Sequence, residues 1–380
     1  MKKIHQNFKL GVLGGGQLGR MLIQPGANFN VHIKVLDPDP HAPCARLATE
    51  FVQGSLTDFD TVVKFGEDVD VLTIEIENVN TDALDELVKR GVEVYPQPHI
   101  IKLIQDKRTQ KQFYKDHQIP TSDFVLVDNL EEAKQYTEML PAVQKLGKEG
   151  YDGRGVQVIN SEQDFEKGFD ASSVLEKRVD IDKEISIIIA RNPSGEIKTF
   201  PAVELVYHEQ NLVDYLISPA HLSQGIEERA KEIATDLVEK LGFTGLLAVE
   251  MFVDQSGKIL VNEVAPRPHN SGHQTIEGNY TSQYEQLLRA VLDLPLGDTR
   301  LRGRSAMVNV LGAEGYEGSA YYEGFDKVMA LPGTYIHLYG KKLTKPFRKM
   351  GHVTILDDQE DKLIEKVELV KKHLKVITKD

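Results

Sequence analysis

The sequence predicts a mixed α/β and α+β chain of more than one domain, and three stretches carry that prediction. Residues 9–14 (KLGVLG) read as a strand that runs into the turn Gly14-Gly15-Gly16-Gln17-Leu18-Gly19 and a helix to about Gln24; a second strand, His32–Leu36, ends at Asp37. That is the opening unit of a doubly wound parallel sheet. Leu246–Val253 and Lys258–Val264 are apolar and β-prone, with turn residues Asp254-Gln255-Ser256-Gly257 between them, which is the pattern of a β-hairpin. From Ser305 a strand (MVNVLG), another at Tyr335–Tyr339 and the helical stripe Leu363, Val367, Val370, Leu374 make a small α+β unit.

A chain of 380 residues has room for two or three cores. Its 41% hydrophobic and 27% charged residues match a soluble globular protein. The net charge of −13 argues against a nucleic-acid partner, because phosphate backbones attract basic faces. A small anion held by a few local Arg and Lys stays open. The single Cys44 excludes an internal disulfide and fits a reducing compartment. The start MKKIHQNFKL is polar and no apolar run approaches the ~18 residues of a membrane span, so a cytoplasmic protein with no membrane partner is expected.

Taken in order, the glycine turn followed by Asp37 is either a dinucleotide fingerprint or a strand–helix turn that needs glycine for its geometry. Val69–Ile76 reads as a further strand, with Glu75 and Glu77 at the end where open α/β sheets bind ligands; exposed charge is the alternative. Pro96 and Pro98 mark a boundary, followed by one helix from about Ile100 to His117 and an edge-like strand at Phe124–Val127. Between Pro141 and Ile159 a strand delivers Lys145, a loop interrupted by Gly147, Gly150, Gly153 and Gly155 follows, and a strand leaves through Val156. Such a loop lies over phosphates or is a mobile surface hairpin; its spacing is not that of a Walker loop. Val174–Val179 and Glu184–Ala190 are short strands, and Gly225–Leu241 is a helix with Ala230, Ile233, Ala234, Leu237 and Leu241 inward.

The hairpin carries the chemistry. A two-residue Ser256-Gly257 loop sets Glu250 directly across from Glu263, where Cβ atoms are ~5 Å apart and like charges repel unless something positive lies between them. A hard divalent cation holding phosphate oxygens meets that need; solvated glutamates, offset by a longer loop, are the alternative. Arg267, His269, Asn270, Ser271 and His273 follow at once, too polar a string for a plain connector. The basic run Lys341–Lys349 is a local anion site or a solvated loop.

GGGQLGRM near the start, GYDGRG at 150–155, NEVAPRPHNSGH at 262–273 and RKMGH at 348–352 resemble the N5-carboxyaminoimidazole ribonucleotide synthetase family, ATP-grasp enzymes of purine synthesis, over the whole chain. The resemblance implies a doubly wound domain at 1–98, a two-lobed ATP-grasp domain at 99–297 and a C-terminal α+β domain at 298–380. It implies ATP and two Mg2+ as cofactors, aminoimidazole ribonucleotide and bicarbonate as substrates, and a homodimer. Glu250 and Glu263 match the metal ligands. Lys107, Lys145, the loop residues Gly150, Tyr151, Asp152, Gly153, Arg154, Gly155 and Val156, the stretch Glu176-Lys177-Arg178-Val179, Glu184, His208, Asn262 and Glu263 match nucleotide contacts. Arg267, His269, Asn270 and Ser271 match the pocket where bicarbonate is activated, with Asp152 on the amine proton. Tyr151, Arg154, Glu75, Glu77, Lys341 and Arg348 match contacts to the ribonucleotide. Two departures are visible: Glu149 stands where the family usually has glycine, and the turn around Asp254–Gly257 is one residue longer than in some relatives. The implied reaction is phosphorylation of bicarbonate by ATP, then transfer of CO2 to the amine. The rivals are a formate-using ATP-grasp ligase and, from the glycine turn, a nicotinamide oxidoreductase.

Overall fold

The computed structural model describes residues 7–148, 155–207 and 213–379. Its first unit is a five-stranded parallel sheet built from β1 (Lys9–Leu13), β2 (His32–Asp37), β3 (Glu50–Gln53), β4 (Val71–Ile74) and β5 (Glu93–Val94), in the order β3-β2-β1-β4-β5. Alternate residues feed two cores: Leu10, Val12, Ile33 and Val35 pack on one face, Leu13, Leu36, Leu72 and Ile74 on the other. Burial on both faces is why β1, β2 and β4 are mostly apolar without alternation, interrupted by the buried Lys34 and Thr73. Helix α1 (Gln17–Asn28) continues through Pro25, past the Gln24 expected from sequence. β4 stops at Ile74, short of the expected Ile76, so Glu75 and Glu77 lie beyond its end. Helices α2 (Phe59–Gly66) and α3 (Thr81–Lys89) cover the second core.

The expected helix 100–117 is two helices, α4 (Pro98–Ile104) and α5 (Lys107–Asp116). Asp106 breaks it: its backbone is extended and its side chain accepts from the Arg108 amide at 2.9 Å. Asp offers the first turn a capping oxygen, so the chain restarts there, and the Lys107 amide donates to Gly147 O at 2.7 Å. β6 (Phe124–Val127), β7 (Ala142–Leu146), β8 (Val156–Ile159) and β9 (Ser173–Lys177) form a small antiparallel sheet in the order β6-β9-β7-β8. β6 is at its edge, as expected, and β9 ends at Lys177, not Val179.

The largest sheet contains β10 (Ile181–Arg191), β11 (Ile197–Thr199), β12 (Val203–Tyr207), β13 (Val213–Ser218), β14 (Gly245–Asp254), β15 (Ile259–Ala265) and β16 (Ser305–Leu311), with Lys349–Leu356 and Thr334–Leu338 beyond β16. Because β13 pairs with β16, three C-terminal strands extend the central sheet, while Gly318–Ser319 with Leu343–Thr344 and Tyr321–Glu323 with Lys375–Ile377 make two small sheets of their own. One face of β10, β14 and β15 packs on the helix Gln224–Leu241, whose expected inner residues are all buried. Ile188, Ala190, Leu246 and Ala248 on the other face join the core of the first unit, which brings that unit to the hairpin. The terminal helix, Glu360–His373, buries Leu363, Val367 and Val370. Among the described residues no helix is long and apolar enough to cross a membrane.

The hairpin differs from its expected form in an instructive way. Val253 faces Ile259, Phe252 faces Leu260 and Met251 faces Val261, one residue out of the register that a two-residue loop gives. The turn is longer, with the Asp254 amide donating to Lys258 O at 3.0 Å. A β-bulge then falls between Met251 and Glu250, with Asn262 as the extra residue, and restores the pairing of Glu250 with Glu263. Val261 and Val264, three apart, therefore share the helix-facing core, while Asn262 and Glu263 both reach the opposite side.

Candidate active site

Glu250 and Glu263 face each other in register, with side-chain exposures of 18% and 41%. Lys107, in the first turn of α5, pairs with Oε2 of Glu263. Lys145, at the end of β7, donates to Oδ1 of Asn262 at 2.7 Å and lies 3.1 Å from Glu176. Lys111, one turn after Lys107, is 2.9 Å from the same Glu176, which also accepts from the Ser122 hydroxyl at 2.6 Å. Bulge, helix break and strand end thus converge on one charge cluster.

The electrostatics separate its members. Burial and the neighbouring Glu263 push Glu250 up, while Lys107 holds Glu263 down. Burial opposes the charge on Lys107, yet Glu263 and Glu176 keep its pKa above the ordinary lysine value. Burial also opposes charge on Glu176, but Lys145 and Lys111 hold it down to about 2. Lys111 itself is pulled down to about 8 by burial. Glu184, on the same face of β10, is raised chiefly by burial and accepts a hydrogen bond from Tyr207. Two opposed carboxylates, one resisting its charge, fit a divalent cation between them. No cluster of three or more His, Cys, Asp or Glu able to hold an ion occurs among the described residues. Mg2+ asks for none, since it takes one or two carboxylates and completes its shell with phosphate and water.

The first unit presents Glu75 and Glu77 to this cleft. Glu75 accepts from the Gly16 and Gly19 amides, each at 2.6 Å, and Asp37 accepts from the Gly15 amide at 2.7 Å. A Cβ at Gly16 would come within 2.5 Å of Glu75 Oε1, so glycine is required by the approach of that carboxylate. Burial pushes Glu75 up against the pull of those amides and of Arg267. The α1 N-terminus already holds an anion of the protein's own, which removes the pyrophosphate seat of the nicotinamide reading. Glu77 pairs with Nε of Arg267 at 2.9 Å.

The loop after β15 closes the site. Nε2 of His269 lies 3.2 Å from Oε1 of Glu250, and Nδ1 lies 2.9 Å from the Ser271 hydroxyl. Oδ1 of Asn270 is buried with no hydrogen-bond partner among the described residues. The His273 ring lies tilted at 4.8 Å from that of His352, which stacks at 4.4 Å on His337; burial drives His273 and His352 well down. These rings tie the loop to the C-terminal strands. Of the basic run, Lys341 donates to Lys349 O at 2.8 Å and Arg348 to Leu343 O at 2.7 Å.

Gly155 accepts from the Leu146 amide at 2.9 Å, and Val156 opens β8 with an exposed side chain. Lys177 and Arg178 are exposed beyond Glu176; their amides donate to Asp123 O and Pro141 O, each at 2.8 Å, and Val179 follows half-buried. Glu149, Gly150, Tyr151, Asp152, Gly153, Arg154 and His208 lie outside the described residues.

Three family models tile the chain: "Ribonucleotide synthetase preATP-grasp domain" at 7–105, "ATP-grasp domain" at 112–284 and "Phosphoribosylaminoimidazole carboxylase C-terminal domain" at 305–366. The N5-carboxyaminoimidazole ribonucleotide synthase of Bacillus subtilis is 36% identical over 371 residues, 96% of this chain and 95% of that protein. The chain belongs to the N5-carboxyaminoimidazole ribonucleotide synthase family. A plant relative, the chloroplastic phosphoribosylaminoimidazole carboxylase of Vigna aconitifolia, is 38% identical over 91% of this chain, which spans 64% of that longer protein. The synthetase of Thermotoga maritima superposes with a TM-score of 0.91 at 40% identity, covering 98% of this chain and 100% of that one. An Aspergillus clavatus synthase solved with ADP and 5-aminoimidazole ribonucleotide superposes at 0.87 and 30% identity, covering 97% and 98%. The fold is therefore an ATP-grasp domain between a pre-ATP-grasp domain and the C-terminal domain of this family.

Several residues of this synthase site escape a reading of the sequence. Lys111 is signalled only by its i+4 spacing from Lys107. Lys349 sits inside the basic run and lowers both Glu250 and His273. Tyr207, Ser186 and Gln283 carry no motif; Gln283 accepts from His269 N at 3.0 Å and donates to His269 O at 2.8 Å.

Proposed function

We propose that this chain carboxylates 5-aminoimidazole ribonucleotide on its exocyclic amine, consuming ATP and bicarbonate by way of carboxyphosphate. The observation that carries the reading is the opposition of Glu250 and Glu263 in a cleft where Lys107 and Lys145 enter from one side and the His269–Ser271 loop from the other. Lys107, Lys145 and the loop 150–156 would hold the phosphates; Glu176–Val179, Glu184 and His208 would hold the rest of the nucleotide. Two Mg2+ on Glu250 and Glu263, when bound, supply charge neutralisation for the γ-phosphoryl group. Arg267, His269, Asn270 and Ser271 form the pocket that orients bicarbonate, so that its oxygen attacks the γ-phosphorus and ADP leaves. Bicarbonate is a poor electrophile, and phosphorylation turns one of its oxygens into part of a leaving group. The amine then takes the CO2 carbon, phosphate departs, and Asp152 orients or accepts the amine proton. Tyr151, Arg154, Glu75, Glu77, Lys341 and Arg348 hold the ribonucleotide. Catalysis of this kind is mostly positioning and charge stabilisation.

The same proposal divides the chain at 98 and 297 and makes it a homodimer, which sedimentation checks. ADP release should require both the ribonucleotide and bicarbonate for full rate, and formate should not replace bicarbonate. Oxygen-18 bicarbonate should deliver one labelled oxygen to inorganic phosphate. Unlabelled phosphate beside labelled product would mean that the acceptor, not bicarbonate, is phosphorylated.

A further inference from the structure

Ser186 lies on β10 directly across from Glu250 on β14, and Ser186 and Ser271 are both fully buried. The Ser186 hydroxyl is 2.7 Å from the Ser271 hydroxyl, which is 2.9 Å from Nδ1 of His269. The other ring nitrogen, Nε2, is 3.2 Å from Oε1 of Glu250. Glu250, His269, Ser271 and Ser186 therefore close a ring, completed by the strand pairing of Ser186 with Glu250. One bond in it cannot reverse. The backbone N–H of Ser271 also points at Nδ1, at 3.3 Å, and an amide N–H only donates, so Nδ1 is an acceptor. The Ser271 hydroxyl then donates to Nδ1 and takes its own hydrogen bond from Ser186. The proton of the neutral imidazole is left on Nε2, facing Glu250.

We infer that Ser186 is a positioning residue: it orients the Ser271 hydroxyl, which together with the Ser271 amide holds His269 in the Nε2–H tautomer, so that the imidazole works as a hydrogen-bond donor and not as a base. The consequence for catalysis rests on the function proposed above; the tautomer does not. With its proton on Nε2, His269 steadies one oxygen of Glu250. With the proton on Nδ1, the Nε2 lone pair would meet the carboxylate lone pair at the same distance and repel it. Gln283 supports the arrangement by gripping the His269 backbone on both its N–H and C=O.

The test is nitrogen-15 NMR of the full chain labelled at histidine, with the His269 signals identified by their loss in His269→Gln. At neutral pH, Nδ1 of His269 should carry the shift of an unprotonated ring nitrogen and Nε2 that of a protonated one. A protonated Nδ1 overturns the inference. This measurement needs no turnover, so it decides the tautomer even if the chain fails to carboxylate the ribonucleotide. Ser186→Ala lets the Ser271 hydroxyl turn away and leaves Nδ1 only the longer 3.3 Å amide bond, so both signals should move toward averaged values and kcat for ADP release should fall about tenfold, with KM for ATP changed by less than about twofold. Ser186→Thr, which keeps the hydroxyl, should restore the tautomer and most of kcat. A Ser186→Ala protein with the wild-type tautomer and rate would remove Ser186 from the relay.

Discussion

The glycine turn at 14–19 and the hairpin at 245–265 both bring carboxylates to the cleft, and they leave them in opposite conditions. In the turn, Glu75 and Asp37 together accept from the Gly15, Gly16 and Gly19 amides. Donors and acceptors match, and the helix N-terminus needs no outside anion. In the hairpin, Glu250 meets Glu263 head on, and the two are driven apart in their preference for charge. Lys107 on Glu263 and His269 beside Glu250 offset part of that repulsion, and a divalent cation bound between them would offset the rest. Both stretches look like ligand motifs by composition; what distinguishes them is whether the protein has already satisfied the groups it exposes.

The sharpest way to break the comparison is Glu263→Gln, which keeps the volume and removes one of the two opposed charges. ADP release should fall by about 100-fold or more, while the thermal transition stays near that of the unaltered chain. Unchanged turnover at ordinary magnesium would make the hairpin as inert as the glycine turn.

A second substitution tests whether a nearby buried carboxylate is structural. Glu176 is held at about 2, against an ordinary 4.5, by Lys145 and Lys111 acting against burial. A carboxyl whose pKa is lower in the folded state stabilises the fold above its unfolded pKa, and the contribution disappears as pH falls through the folded value. The window therefore runs from about pH 4.5 down to about pH 2, and a shift of this size corresponds to about 3 kcal/mol. Glu176→Gln should be less stable to urea at pH 7 by about that amount, with the gap closing toward pH 2. A gap that ignores pH would mean that shape, not charge, is what Glu176 supplies.

How far the site could be read from the sequence is clearest at the hairpin. The opposition of Glu250 and Glu263 follows from assuming a two-residue loop, and the protein reaches it by a longer turn whose offset is cancelled by the bulge at Asn262. Strand alternation does not report the length of a turn, so two departures compensate unseen. One trace of the bulge was present: Val261 and Val264 are apolar at a spacing of three, which a regular strand cannot place on one face. The break at Asp106 was hidden because no Gly or Pro marks it and the polar residues 105–112 that follow Ile104 read as the solvent side of a continuing helix. Glu75 could be suspected as a ligand but not as a cap, since its partners Gly16 and Gly19 are 59 and 56 residues away. The order of elements, the hairpin and the polar string after Glu263 were legible because they are local; the other strand partners and the pairing of charges were not, because they are set by which elements meet.

Glu75→Ala asks whether the glycine turn is truly self-satisfied. It strands the Gly16 and Gly19 amides in a part-buried setting and should cost about 1–3 kcal/mol of stability, read as a lowered urea midpoint. NADH binding should not appear in that variant. If stability is unchanged, those amides have another partner and the contrast with the hairpin weakens.

The smallest effect belongs to the basic run, which neither satisfies itself like the turn nor opposes like charges like the hairpin. Arg348 donates to the Leu343 carbonyl and Lys341 to the Lys349 carbonyl. A carbonyl takes a hydrogen bond through its lone pairs, so these contacts aim both cations. Cations aimed by carbonyls suit a dianionic phosphate monoester, and a ribonucleotide carries one. Charge-assisted bonds of this kind contribute ~1.5–3 kcal/mol each, part of which water recovers in a half-exposed site. The double substitution Lys341→Met with Arg348→Met should therefore raise KM for the ribonucleotide by roughly tenfold and leave KM for ATP nearly alone. If both constants rise together, the run serves the nucleotide; if neither moves, it is a solvated loop, and the phosphate of the acceptor must be held by other cations around the cleft, with Lys349 the first to test.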